Sequence, residues 1–154
     1  MGVREEKLEA LGYAVDAAPK AAGLYDPVVV VGNTFTMSGS VPVDGGQPKF
    51  VGKVPSGVSV DDAKRAAALC AANLLRVFIR DVGPLDRIDR IVKITGFVNS
   101  DPTFNEQHVV MNGASQLLLD VLGDAGHHAR SAVGMAGLPL GVSVEVELTG
   151  VLRG

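Results

Sequence analysis

A chain of 154 residues with 14 Lys+Arg against 17 Asp+Glu has a net charge of −3, and at roughly 150 residues per domain it has room for one domain, 1–154. That acidic balance leaves no positive surplus for phosphate backbones, so no nucleic-acid partner is expected. The single cysteine, Cys70, excludes an internal disulfide and a multi-cysteine metal site, and an apolar fraction of 47% with only 5% aromatics and no Trp implies a core built from small residues. No apolar run approaches the ~20 residues of a membrane span. Arg4-Glu5-Glu6-Lys7 occupies the place of a signal peptide's apolar stretch, so a soluble cytoplasmic domain with no membrane partner is expected.

In chain order, Val3 to Leu11 reads as a short charged helix stopped by Gly12, the start of an N-terminal extension over 1–17. Val28 to Val31 and Thr34 to Ser38 flank Gly32-Asn33, a two-residue hairpin signal. In that register Val28 and Val30 share a face with Phe35 and Met37. Pro42, Gly45, Gly46 and Pro48 mark a loop, with a weak strand expected from Lys49 to Lys53. Ser59 is placed to cap a long helix running to about Asp81, with Asp61 and Asp62 in its first turn. Its polar stripe is Asp62, Arg65, Asn73, Arg76 and Arg80, and Cys70 on this helix reads as a small buried hydrophobe. Ile88 to Val98 reads as a strand, and Asp101-Pro102 as the cap and first turn of a second helix ended by Gly123 and Gly126. Val142, Val144, Val146 and Leu148 alternate with Ser143, Glu145, Glu147 and Thr149, which is a strand with one apolar and one polar face. The segment Arg130 to Met135 alternates likewise, and Gly137 to Gly141 reads as the turn of a hairpin between the two. The order of elements implies an α+β sandwich: one mixed sheet of about six strands with two helices on one face, plus the N-terminal helix.

Matching the apolar faces of that last hairpin sets Val133 opposite Val144 and Arg130 opposite Glu147. Arg130, Glu145 and Glu147 then emerge together on the side away from the helices, with Glu145 diagonal to Arg130. Such a face is either a solvated one with cross-strand ion pairs or one covered by a second copy of the chain. Ala132, Gly134 and Ala136 leave room there for a ligand or a neighbour. No phosphate-binding glycine loop or Ser-containing nucleophile elbow is present. His127 and His128 are adjacent and would point oppositely on a strand, and His108 stands alone, so all three read as surface or boundary residues rather than metal ligands.

Ala129-Arg130-Ser131-Ala132-Val133, Leu138-Pro139-Leu140-Gly141 and Val144-Glu145-Val146-Glu147 together resemble the signature of the RidA/YjgF family, also called the L-PSP endoribonuclease or translation-inhibitor family. Ala18-Pro19, Gly23, Tyr25, Gly32-Asn33, Ser38-Gly39, Val41-Pro42-Val43 and Asn112 extend the likeness to about Ala18–Arg153, and the N-terminal helix is similar to a sub-branch with a longer N-terminus. The resemblance implies a chorismate mutase-like fold assembled as a homotrimer, with active sites in clefts between subunits and no metal or organic cofactor. It implies hydrolytic deamination of small enamine or imine intermediates of the 2-aminoacrylate type to 2-keto acids and ammonia. The alternatives are a non-catalytic protein binding small carboxylates and, third, a ribonuclease or translation inhibitor. Carried over, Arg130 would grip the substrate carboxylate, Glu145 would activate water or relay a proton, Tyr25 would line the cleft, and Gly39 and Asn112 would shape it. Glu147 is read as structural. Ala132 stands where that branch often has Cys, which bears on substrate preference.

Overall fold

A computed structural model describes Met1–Gly154. Helix α1 spans Val3–Ala10, α2 Val60–Asp81 and α3 Gln107–Leu122. Strands β1 (Val28–Val31), β2 (Thr34–Ser40), β5 (Ile88–Asn99), β6 (Ala129–Met135) and β7 (Val144–Leu152) form one sheet in the order β1-β2-β7-β5-β6. Strands β3 (Val43–Asp44) and β4 (Gln47–Pro48) make a separate two-stranded ribbon. The main sheet therefore has five strands rather than six. The residues expected as a weak strand after Lys49 contribute only an isolated bridge, Val51 to Val142. No helix is long and apolar enough to cross a membrane.

The β1–β2 hairpin has the expected register, with Val28 opposite Met37 and Val30 opposite Phe35. The Ser59 hydroxyl accepts from the Asp62 amide at 3.1 Å and caps α2, as its position before two aspartates implies. The core lies between the inner sheet face and the two long helices. Phe35 and Phe78 meet edge to face with centroids 4.9 Å apart. Cys70 is fully buried, and burial raises its thiol well above its ordinary value, with the nearby Glu145 adding to the rise. Small residues of α2, among them Ala63, Ala66 and Ala67, let α3 approach closely, and a Cβ on Gly113 would lie 2.7 Å from the Lys64 carbonyl carbon.

Three further expectations are corrected. Asp101 does not cap a helix: its carboxylate accepts from the Ser56 amide at 2.8 Å and hydroxyl at 3.0 Å, and α3 starts only at Gln107. Asn73 and Arg76 are not part of a solvated stripe but are buried. Asn73 donates to the Val41 and Val43 carbonyls, and Arg76 donates to the Ala14 carbonyl at 2.7 Å while its guanidinium lies over the Tyr13 ring. These side chains tie the Ala14 turn and the Val41–Val43 segment to α2.

The third correction concerns β6 and β7, which do not pair. Strand β5 lies between them, parallel to β6 and antiparallel to β7. The Gly137–Gly141 connection crosses the end of β5, where the Asn99 amide donates to the Ser143 carbonyl and the Ser100 amide to the Met135 carbonyl.

Candidate functional site

Laterally paired residues share a sheet face, so the strand registers decide where each side chain emerges. Glu145 is paired with Phe97, and Glu147 with Thr95, on the face away from the helices. Arg130 is paired with fully buried Ile94 on the opposite, helix-bearing face. Arg130 and Glu145 therefore do not meet within one chain, contrary to the hairpin register, and the structure separates the predicted residues into two clusters.

The first cluster is on the open face. Between Met37 and Ser40, β2 carries one residue more than the facing stretch of β7, a bulge that includes Gly39. A Cβ on Gly39 would strike the Glu145 carboxylate, so the glycine makes the space that the carboxylate fills. Tyr25 is held at the same end of β2, because Ser38 donates from its amide to the Pro27 carbonyl (2.9 Å) and from its hydroxyl to the Asp26 carbonyl (2.7 Å). Tyr25 is 48% exposed. Burial pushes the Glu145 carboxyl upward, and the like charge of Glu147 pushes it further.

That shift has a consequence for stability. A carboxyl whose folded value is raised binds protons more readily in the folded chain, so stability falls as pH rises from its ordinary value of 4.5 through the raised folded value. Glu145→Gln is expected to lack this slope, and urea unfolding of both proteins across that range is the check. Parallel pH profiles would contradict it.

The second cluster is at the sheet edge. On α3, Asn112 and Ser115 are spaced i, i+3 and face β6 together. Arg130 Nη1 donates to Asn112 Oδ1 at 2.9 Å and to Ser115 Oγ at 3.1 Å, and Nη2 donates to the His108 carbonyl at 3.1 Å. Three of the five guanidinium hydrogens are thus engaged. Nε–H and the second Nη2–H remain, which form the two-pronged edge that suits a carboxylate. Ser115 also meets His128 Nε2 at 2.9 Å, and His128 Nδ1 meets the Gly126 carbonyl at 2.6 Å. His128 is thus a half-buried boundary residue with both ring nitrogens bonded. The sequence assigned Ser115 no role and read His128 only as a surface or boundary residue. The i, i+3 pairing of Ser115 with Asn112 was the available signal for the first, and nothing local marked the second.

Known proteins resemble this chain in sequence and in fold. Residues 5–150 match the family model described as "YjgF/chorismate mutase-like, putative endoribonuclease". Protein TCP17 of Trypanosoma cruzi is 40% identical over 141 residues, 91% of this chain and 88% of that protein. The crystal structure of Atu1372 from Agrobacterium tumefaciens, a protein of unknown function, superposes with a TM-score of 0.90 at 44% identity, covering 98% of this chain and 93% of that one. That of E. coli TdcF with bound serine superposes with a TM-score of 0.64 at 26% identity, covering 90% and 95%. With its sheet, helices and Arg130-to-Glu147 segment in place, the chain belongs to the RidA/YjgF family and has its chorismate mutase-like fold.

Proposed function

We propose that this protein hydrolyses small enamine or imine intermediates of the 2-aminoacrylate type to 2-keto acids and ammonia, at sites each completed by two chains. The observation that carries this reading is the division of the polar residues. Arg130 stands braced on the helix side of an edge strand with one donor edge open, while Glu145 occupies the opposite face. An assembly in which the Tyr25–Gly39–Glu145 face of one copy meets the Asn112–Arg130 edge of the next would unite them. The open sheet face supports such an assembly, because it exposes Val29 (49%) and Val133 (40%) where a single chain has no second layer to cover them. A homotrimer closes this contact with one type of interface.

In the completed site the substrate carboxylate takes the Nε–H and Nη2–H edge of Arg130. The enamine tautomerises to the imine by gaining a proton at its terminal carbon and losing one from nitrogen. Water then adds to the imine carbon. Glu145, in its ionised form, accepts a proton from that water and returns it to nitrogen, and the carbinolamine expels ammonia to leave the keto acid. A carboxyl whose value is raised by burial suits both halves of this transfer. No metal or organic cofactor enters the scheme. A related protein with serine bound supports a ligand of amino-acid size and charge.

Arg130→Ala and Glu145→Gln test the scheme together. Each is expected to lower keto-acid release from enzymatically generated 2-aminoacrylate by roughly 30- to 150-fold, the loss of about 2–3 kcal/mol of charged hydrogen bonding. Mixed and reassembled, the two inactive proteins are expected to recover about a quarter of the wild-type activity, since random mixing restores that share of two-chain sites. Wild type that fails to accelerate keto-acid formation sinks the reaction, and failure of the mixture to recover sinks the two-chain site. Saturable binding of 2-keto acids without turnover would support a carboxylate-binding protein instead. RNA cleavage undiminished by Arg130→Ala would support the ribonuclease reading that the family's description carries.

Gly39→Ala probes the same site differently. The new Cβ displaces a flexible carboxylate rather than backbone, so stability is expected to change little. Displacing Glu145 by an ångström is expected to lower turnover on the order of 10- to 100-fold. Thermal melts and initial rates on one preparation check both parts.

A further inference from the structure

The bonds around Arg130 have a fixed direction that neither the family resemblance nor the proposed reaction assigns. The Gly126 carbonyl can only accept, so His128 Nδ1, 2.6 Å away, carries the ring hydrogen. Burial lowers the affinity of this ring for a second proton, with Arg130 and His127 acting in the same sense against the opposing Gly126 bond. The neutral ring then has a bare Nε2, which accepts the Ser115 hydroxyl proton at 2.9 Å. With its only proton committed to His128, Ser115 Oγ presents lone pairs alone to Arg130 Nη1 at 3.1 Å.

We propose that Ser115 and His128 are positioning residues: through the chain Gly126 carbonyl, His128, Ser115, they fix the rotation of the Arg130 guanidinium so that its Nε–H/Nη2–H edge faces the ligand carboxylate. This rests on the reading of Arg130 as the carboxylate grip. Neither residue touches the substrate. Their effect is on specificity, because an oriented fork favours a planar anion over a neutral group of the same shape, whereas an unoriented cation discriminates less.

The test measures binding of 2-oxobutanoate and of its uncharged amide to the full-length assembled protein by calorimetry and by competition. Ser115→Ala and His128→Ala are each expected to weaken the acid about 10-fold while leaving the amide unchanged. Ser115→Thr, which keeps the hydroxyl, is expected to restore most of the acid's affinity. In an Arg130→Ala background, Ser115→Ala is expected to add nothing further, since the two residues then act on one absent group. If Arg130→Ala binds the acid as wild type does, the carboxylate-grip reading itself fails. If Arg130→Ala loses the acid while Ser115→Ala and His128→Ala hold it within twofold, that reading stands and the positioning role is overturned. An equal loss of acid and amide in the Ser115 and His128 variants overturns it too, since it marks general distortion.

Discussion

Gly113→Ala is expected to destabilise the chain by about 2–3 kcal/mol, although alanine is the better helix former by about 1 kcal/mol. The cause is the α2–α3 contact. A Cβ at Gly113 would lie 2.7 Å from the Lys64 carbonyl carbon and 3.0 Å from the Lys64 Cα, and backbone cannot step aside as a side chain can. Helix α3 must then lift away from α2 and give up contacts made by Ala114, Leu117 and Leu118, all buried in the core. The same displacement moves Asn112 and Ser115 relative to Arg130, so carboxylate binding should weaken along with stability. Urea unfolding midpoints read the first effect and calorimetry the second. A variant as stable as wild type would show that the helices are not in close register at Lys64.

Thr149→Glu is expected to abolish activity without unfolding the single chain. Thr149 lies on the open face of β7, opposite Thr36 on β2 and Lys93 on β5. In the isolated chain a glutamate there gains a lysine across the strands and remains hydrated, so the stability change should stay within about 0.5 kcal/mol. In the proposed assembly the same face is covered, and each copy would take another carboxylate and its lysine neighbour out of water, a desolvation cost that their attraction repays only in part. Mass by light scattering is expected to fall to the single-chain value of 15.9 kDa. Keto-acid release should vanish with it, because Arg130 and Glu145 of one chain face opposite ways. Full activity from a monomeric variant would refute the two-chain site.

Where a residue's role was set by its neighbours in sequence, it was legible beforehand. The Gly32-Asn33 hairpin, the Ser59 cap and the alternation of β7 all follow from local turn chemistry, capping and pleat. The pairing of β6 with β7 failed for a long-range reason. Matching apolar faces assumed that Val133 and Met135 share the core face with Val142 and Val144, whereas both emerge on the open face, level with Glu145. Strand β5 lies between β6 and β7 and inverts the face on which Arg130 emerges. The polar residues of α2 failed similarly. Asn73 and Arg76 have helical spacing typical of a wet stripe, but the N-terminal segment and the β3 region lie over them and use their donors. The identity of the candidate site residues was readable from the motif, and their distribution over two faces was not.

The β5–α3–β6 unit has one more consequence. Arg130 and its brace at Asn112 are separated by 18 positions, and His128 and Ser115 by 13. Contacts this local close small loops and can form early in folding, before the distant pairing of β2 with β7 sets Gly39 against Glu145. On the proposed reading each chain folds with both its anion grip and its Glu145 in place, and association only brings the grip of one copy to the Glu145 of the next. If the proposed two-chain site holds, an unassembled copy would bind a keto acid weakly without turnover, and dilution below the dissociation constant of the assembly would leave only that binding.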